Sequence, residues 1–404
     1  MSLDATTGPE LPLLIRVSGA DRPRLTRDLL RLLGDAGAVL EDMEQLVVRE
    51  RLTLDVLVRL ANADDRVVRD ILYWGFTHDL QVDFERVEAR SRRSGLVRHA
   101  VTVLGRPLGP SSLAAVAEAI ASTGGNIDRV VRLATDPVTA YDLVVIAGDV
   151  HAMQRALVQV AAEHGIDVAV QLNGLERRAK RLVVMDVDST LIMDEVIELL
   201  ADEADCRSAV AAITERAMAG ELDFEASLRE RVRLLRGLDA DAIERARSRI
   251  RLTPGARTFV RTLKRLGFGV AIVSGGFTQF TDWLRTELDL DFAYANELEV
   301  ADGLLTGRVL GAIVDRPEKA RLLRRIAAAQ GVPLSQTVAV GDGANDLDML
   351  AAAGIGIAFN AKPVVRAQAD TTVSVPYLDA ILFMLGIPSS DVDRGSEPIP
   401  EPVD

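Results

Sequence analysis

The run Leu182-Val183-Val184-Met185, followed at once by Asp186-Val187-Asp188-Ser189-Thr190, constrains this chain more than any other stretch. A short, wholly apolar run reads as a strand buried on both faces of a parallel sheet. In an open α/β sheet the ligand site lies outside the carboxyl ends of the strands, so two acids one residue apart arrive there. Carboxylates at the end of a buried strand are costly unless a cation or a hydrogen-bond network receives them. The first acid could attack an electrophile, the second could handle the proton, and both could hold a divalent cation. The same pattern also occurs as an ordinary turn, and its meaning depends on what the rest of the chain supplies.

The rest of the chain removes most competitors. At 404 residues it is too long for one ordinary core, and two or three domains are expected. A net charge of -13 argues against a nucleic-acid binder, which would carry a basic face. The single cysteine, Cys206, excludes an intrachain disulfide framework and points to a reducing compartment. The start, MSLDATTGPELPLLIRV, lacks the basic region and apolar run of a signal peptide, and no stretch approaches the ~20 apolar residues of a membrane span. A cytoplasmic protein is expected, with neither membrane nor nucleic-acid partners. All four histidines (His78, His99, His151, His164) precede the acidic segment, so the remaining chain has no Ser-His-Asp, Cys-His or phosphohistidine chemistry of its own. Ala212 stands where a cysteine phosphatase loop would need arginine after Cys206. Chemistry in the C-terminal half therefore falls to carboxylates.

Upstream, the same order of elements occurs twice. Leu13 to Val17 reads as a strand, Leu25, Leu29, Leu30 and Leu33 mark a helix, Val39 to Val48 and Leu52 to Leu60 a strand pair, Val67 to Trp74 a helix, and Leu80 to Val87 a last strand. From Ala100 to Leu172 the pattern repeats, with Leu25 falling on Leu113 and Gly37 on Gly125. Both units read as ferredoxin-like βαββαβ folds of ~75–80 residues. With the Gly19-Ala20-Asp21-Arg22-Pro23 turn after the first strand, the pair resembles tandem ACT domains, modules that bind small amino acids beside metabolic enzymes. The resemblance implies a candidate effector site at Gly19 and Asp21, and at Gly105 and Gly109 of the second turn, which lacks the aspartate. It equally implies units that only make a homodimer. The expected domains are 1–95, 96–175 and 176–388, with a charged linker over 174–180 and a disordered acidic tail over 389–404.

Two further apolar runs in the third domain end in polar residues. Gly269-Val270-Ala271-Ile272-Val273 leads into Ser274-Gly275-Gly276, a hydroxyl with close backbone N–H groups suited to phosphate oxygens. Thr337-Val338-Ala339-Val340 leads into Gly341-Asp342-Gly343-Ala344-Asn345-Asp346, where glycines let the backbone approach a ligand and Asp342 offers an oxygen of the kind Mg2+ prefers. Between them Lys319 is one of only four lysines (Lys180, Lys264, Lys319, Lys362) among 47 basic residues. An arginine-biased chain that keeps lysine here suggests a need for a compact ammonium.

These four motifs, in this order, resemble the haloacid dehalogenase superfamily of aspartate-nucleophile phosphotransferases. The resemblance implies a Rossmann-like doubly wound parallel sheet in the third domain. It also implies that Asp186 attacks phosphorus and that Asp188 protonates the leaving alkoxide and then activates water. Mg2+ is implied at Asp186, the backbone carbonyl of Asp188 and Asp342, with Asp346 behind, while Ser274, Gly275, Lys319 and Asn345 hold the phosphoryl group.

A helical insertion over about 192–253 would cover the strand ends as a cap that excludes water. Within it Glu195, Met218, Phe224 and Arg231 resemble the substrate residues of phosphoserine phosphatases. There the glutamate takes the amino group, the arginine the carboxylate, and the apolar pair walls the pocket. The expectation is an Mg2+-dependent phosphoserine phosphatase, the last step of serine biosynthesis, dimerised by ACT-like units that sense serine. Two alternatives stand beside it: a phosphotransferase passing phosphate to an alcohol such as homoserine, and an amino-acid sensor with an inactive phosphatase domain.

Overall fold

The computed structural model describes residues 12–60, 65–87, 97–146, 148–174, 177, 179–218 and 221–395. The chain divides into two compact units, Met1–Leu96 and Val97–Asp404.

The first unit runs β1 (Leu13–Ala20), α1 (Leu25–Asp35), β2 (Val39–Val48), β3 (Arg51–Arg59), α2 (Asp65–Thr77), β4 (Leu80–Arg86), the order read from the sequence. Its antiparallel sheet has the order β2-β3-β1-β4. Alternation explains the burial: Leu52, Leu54, Val56 and Val58 of β3 join Leu25, Leu29 and Leu33 of α1 in one core.

The second unit opens with the duplicate fold, β5 (Arg98–Gly105), α3 (Pro110–Ser122), β6 (Asn126–Ala134), β7 (Thr139–Ile146), α4 (Val150–His164), β8 (Asp167–Leu172). It continues into a seven-stranded sheet of β9 (Leu182–Met185), β10 (Gly269–Phe277), β11 (Phe292–Ala301), β12 (Leu304–Leu310), β13 (Thr337–Gly341), β14 (Ile355–Phe359) and β15 (Thr371–Val373). The strand order is β12-β11-β10-β9-β13-β14-β15, parallel except for the β11–β12 hairpin. Helices α9 (Ala256–Arg265) and α10 (Thr278–Glu287) cover one face through Phe259, Leu263, Phe280 and Leu284. On the other face α11 (Arg316–Ala329) and α12 (Leu347–Ala352) pack Leu322, Leu323, Ile326 and Leu350 against Leu182, Val184 and Ala339. Both faces being covered, β9 has no polar side and reads as an unbroken apolar run. Between β9 and α9 stand four cap helices, α5 (Val196–Glu203), α6 (Arg207–Met218), α7 (Phe224–Arg233) and α8 (Asp241–Ser248).

Two expectations are corrected. The charged 174–180 segment is tied down where it is described. Arg177 donates to both carboxylate oxygens of Asp142 at 2.9 Å and to Thr102 Oγ1 at 3.0 Å, and buried Lys180 donates to the Ser335 carbonyl at 2.6 Å. The second ACT-like fold shares a hydrophobic cluster with the catalytic domain, where Leu104, Leu133 and Ala169 join Tyr377 and Ile381. Asp167 at the start of β8 accepts from Thr372 Oγ1, Ser374 N and Ser374 Oγ at 2.7–3.1 Å. The tail is ordered over its first residues: Ser389–Asp391 forms a 3-10 turn, and the Asp393 amide donates to Thr262 Oγ1 of α9 at 2.9 Å. Residues 396–404 lie outside the described ones.

The Arg177 clasp gives a stability prediction. Arg177→Ala strands the nearly buried Asp142 carboxylate, at a cost of about 3 kcal/mol. Urea unfolding of the full chain should show the loss, and Asp142→Ala added to it should restore part of the stability, as a double-mutant cycle reads.

Candidate active site

Register places the chemistry. Met185 of β9 lies level with Ile272 of β10 and Val340 of β13, so the residues after all three strands leave one edge of the sheet together. The chain passes from β9 to β10 on one side of β9 and later returns from β12 to β13 on the other, the switch point where an open sheet forms its crevice.

Asp186 sits at the centre. Its amide donates to the Val340 carbonyl at 2.9 Å, its Oδ1 accepts from the Val187 amide at 2.8 Å, and its Oδ2 meets Lys319 Nζ at 2.8 Å. Lys319 is wholly buried and also donates to Asp346 Oδ1 at 2.7 Å. It stands in the first turn of α11, where the Asp315 side chain caps the helix by accepting from the Glu318 amide at 2.9 Å and Pro317 fits the N-terminal turn. Burial opposes the lysine's charge, but Asp186 and Asp346 outweigh it and raise its pKa.

Oxygens of Asp186, Asp342 and Asp346 lie within 4.8 Å of one another. Burial pushes Asp186 up, and Asp346 pushes it further against the pull of Lys319. Burial, then Asp346, raises Asp342 to about 6, although Thr190 Oγ1 donates to its Oδ1 at 2.9 Å. Three crowded carboxylates share one lysine. An oxygen-only donor set with excess negative charge fits a hard divalent cation such as Mg2+. Both Asp346 oxygens are already engaged, Oδ1 by Lys319 Nζ at 2.7 Å and Oδ2 by the Gly343 amide at 3.0 Å.

The Asp188 carboxylate points elsewhere. Its Oδ1 accepts from the Val196 amide at 2.8 Å and its Oδ2 from Ser274 Oγ at 3.1 Å, while the Gly276 amide donates to Ser274 Oγ at 2.7 Å. Burial raises the Asp188 pKa, and the bonds from Val196 and Ser274 hold it back. The end of β10 leaves little room for side chains: a Cβ on Gly275 would lie 2.9 Å from the Phe224 ring, and one on Gly276 2.8 Å from Val196 Cγ2 and 3.0 Å from Asp188 Oδ2.

Above this edge a cavity of about 680 Å3 joins the strand ends to the cap. Asp186, Asp188, Gly275, Asp342 and Asn345 line it from below, and Glu195, Phe224 and Arg231 from the cap. Ser189, held at φ 56°, donates to Glu195 Oε1 at 2.9 Å. Glu195 opens onto the cavity but is walled by protein; this burial, then Asp188, raises it to about 7. Burial lowers the Arg231 pKa, with Glu195 and Asp188 opposing. Met218 ends α6, and its side chain lies outside the described residues.

Gly19 lies inside β1, paired with Leu52 and Leu80, and exposed Asp21 follows, its amide donating to the Glu50 carbonyl at 2.8 Å. Gly105 closes β5 and Gly109 caps α3. Between these two, Arg106 donates to the Tyr377 hydroxyl at 3.0 Å and lies 5.8 Å from its ring centroid. The second turn is therefore a contact with the catalytic domain.

Sequence reasoning missed Thr190, Ser189 and Thr253, whose hydroxyl donates to the Thr190 carbonyl at 2.7 Å. It also missed Lys362 and Arg316 in the cavity wall. Lys362 was within reach, because the scarcity that singled out Lys319 applies to it equally.

Known proteins agree with this architecture. Residues 183–351 match the haloacid dehalogenase-like hydrolase family, and residues 12–85 and 97–171 each match an ACT domain. Together they define a haloacid dehalogenase-like hydrolase that carries two ACT domains. The chain is 53% identical over 396 residues to a phosphoserine phosphatase of Streptomyces coelicolor, covering 97% of this chain and 96% of the relative. It is 49% identical over 392 residues to one of Mycobacterium tuberculosis, covering 95% of each. A crystal structure of a probable phosphoserine phosphatase from Vibrio cholerae superposes with a TM-score of 0.57 at 35% identity, over 72% of this chain and 88% of that one. The chain belongs to the phosphoserine phosphatase family.

The carboxylate cluster should respond to metal. Mg2+ at about 100 times its Kd should add about 2.7 kcal/mol of stability, seen as a rise in Tm that EDTA reverses. In Asp342→Asn the rise should shrink by at least half; an undiminished rise would place the cation elsewhere.

Proposed function

We propose that this chain is an Mg2+-dependent phosphoserine phosphatase, hydrolysing O-phospho-L-serine to L-serine and phosphate through an aspartyl phosphate on Asp186. One observation carries the reading: a single cavity joins Asp186, held against Lys319, to Glu195 and Arg231 on the cap. Glu195 and Arg231 are the acid and base that a zwitterionic amino acid requires.

A carboxylate oxygen of Asp186 forms a bond to phosphorus as the bond to the serine oxygen breaks. Asp188 gives its proton to the departing oxygen; its buried setting favours the protonated acid needed for that step. Asp188 then takes a proton from water, which attacks phosphorus and releases phosphate and the free Asp186 carboxylate. Ser274, the Gly275 backbone and Asn345 hold the phosphoryl oxygens, and Lys319 offsets their charge. Asp186, Asp342 and the Asp188 carbonyl, with Asp346 behind them, would hold Mg2+, which would supply the positive charge that lets an anionic nucleophile meet an anionic phosphoryl group.

On the cap, Glu195 faces the substrate ammonium, whose arrival favours the carboxylate that burial disfavours. Arg231 takes the α-carboxylate, and Phe224 walls the side. The ACT domains are assigned homodimerisation and serine sensing. The outer strand β2 supports the first, since Val39, Leu46 and Val48 are all more than half exposed along it. A cytoplasmic setting accords with the single cysteine, and no helix among the described residues is long and apolar enough to cross a membrane.

Asp186→Asn should abolish phosphate release from phosphoserine in Mg2+ while the circular dichroism spectrum stays native; surviving turnover would remove Asp186 as nucleophile. Arg231→Ala should lower kcat/KM for phosphoserine about 100-fold, as expected for a lost charged hydrogen bond, and for p-nitrophenyl phosphate less than about threefold. Equal losses on the two esters would mean that Arg231 does not read the carboxylate.

A further inference from the structure

The cavity is rich in acid for a site that takes an anion. Asp186, Asp188, Glu195 and Asp342 all line it, in a chain of net charge -13. A phosphomonoester carries about -1.5 to -2 near neutral pH, so its approach is opposed before any contact forms. The cations near Asp186 are already committed or placed for other work. Lys319 is buried between Asp186 and Asp346, and Arg231 lies inside, with its Nε directed at the Ser227 carbonyl at 3.4 Å. Arg316 lines the opening but is paired with Asp348 at 2.5 Å.

Lys362 differs from all of them. It follows β14, the strand next to β13, and so reaches the same sheet edge. It lines the cavity beside Val364 and Val365, and it is exposed. Its backbone is fixed: the Lys362 carbonyl accepts from the Val365 and Arg366 amides at 2.9 and 3.1 Å, and Pro363 restricts the residue before it. Two residues earlier, the Asn360 amide holds the Val373 carbonyl at 2.7 Å. The ammonium makes no hydrogen bond or ion pair among the described residues. Of the other three lysines, Lys180 is bound to Ser335, Lys264 to Asp291 and Lys319 to the catalytic acids.

We propose that Lys362 is the substrate-capture residue, a free cation at the mouth that draws the phosphomonoester dianion into the cavity before the phosphoryl group reaches Asp186. The inference rests on the phosphatase reading above. A flexible stem with a point charge suits transient capture, whereas a planar guanidinium suits a locked bidentate contact. Such attraction acts through solvent, so salt weakens it, and it appears in kcat/KM more than in kcat.

The test measures kcat and kcat/KM for phosphoserine and p-nitrophenyl phosphate across ionic strength in saturating Mg2+. Lys362→Ala should lower kcat/KM about fivefold at ~20 mM salt and less than about twofold at ~500 mM, by the same factor on both esters, with kcat within about twofold of wild type. Lys362→Arg should restore most of the loss. Lys264→Ala makes the same change in net charge far from the cavity lining and should keep the wild-type salt dependence. An unchanged salt slope in Lys362→Ala, a kcat loss as large as the kcat/KM loss, or a loss confined to phosphoserine would each overturn the capture role while the phosphatase reading stands. A wild-type chain that releases no phosphate from either ester would overturn that reading, and the capture role with it.

Discussion

The contact on which the rest depends is Lys319 Nζ between Asp186 and Asp346, 2.8 and 2.7 Å from their carboxylate oxygens and closed to solvent. It joins the end of β9 to the turn after β13 through a helix that begins elsewhere, so three separate segments meet in one ionic cluster. A buried charge pair gains little against an apolar substitute, because desolvation consumes most of the attraction. Here the pair has a different use. It holds the Asp186 carboxylate in a fixed orientation and leaves the Asp342 side of the cluster over-acidic, a donor set that fits a cation. The preference for lysine follows from the geometry: one compact group with three donors serves two carboxylates that a planar fork could not straddle in the same space.

What could be read from the sequence follows this division between burial and partnership. β9, β10 and β13 were legible because covered strands carry continuous apolar runs, and β3 because Leu52, Leu54, Val56 and Val58 alternate with outward residues. The acids at the strand ends were legible because a polar residue closing such a run needs a reason. Partners distant in sequence were not. Arg177 and Lys180 look like solvated linker charges until Asp142 and Ser335 are brought beside them. Thr190 and Thr253 are common residues at no diagnostic spacing, and only the fold sets their hydroxyls against Asp342 and the Thr190 carbonyl.

The two ACT domains share a fold but differ in the residues at the turn after their first strand. In the first, the turn after β1 carries exposed Asp21, and β2 presents an apolar outer edge. In the second, the equivalent turn carries Arg106, held by the Tyr377 hydroxyl, and Asp167 receives three hydrogen bonds from the segment around β15. Burial raises the Asp167 pKa, which the donors from Ser374 and Thr372 resist. The second copy is part of the scaffold that carries the seven-stranded sheet.

That scaffold reaches the cap through the segment next to Tyr377. The cap leaves and rejoins the core where Ile192 bridges Leu252, the Met193 amide donates to the Arg251 carbonyl at 2.9 Å, and the Thr253 amide donates to the Leu191 carbonyl at 3.0 Å. Asp194 pairs with Arg251 across the two strands at 2.6 Å. One residue beyond Thr253, the Pro254 carbonyl accepts from the Leu378 amide at 2.8 Å, beside the tyrosine that holds Arg106. On its other side Thr253 supports Thr190, and Thr190 donates to Asp342. The base of the cap is thus anchored on one side to Asp342 of the carboxylate cluster and on the other to the segment that holds the second ACT domain. This base sets Glu195 and Arg231 over the same cavity that Asp186 lines.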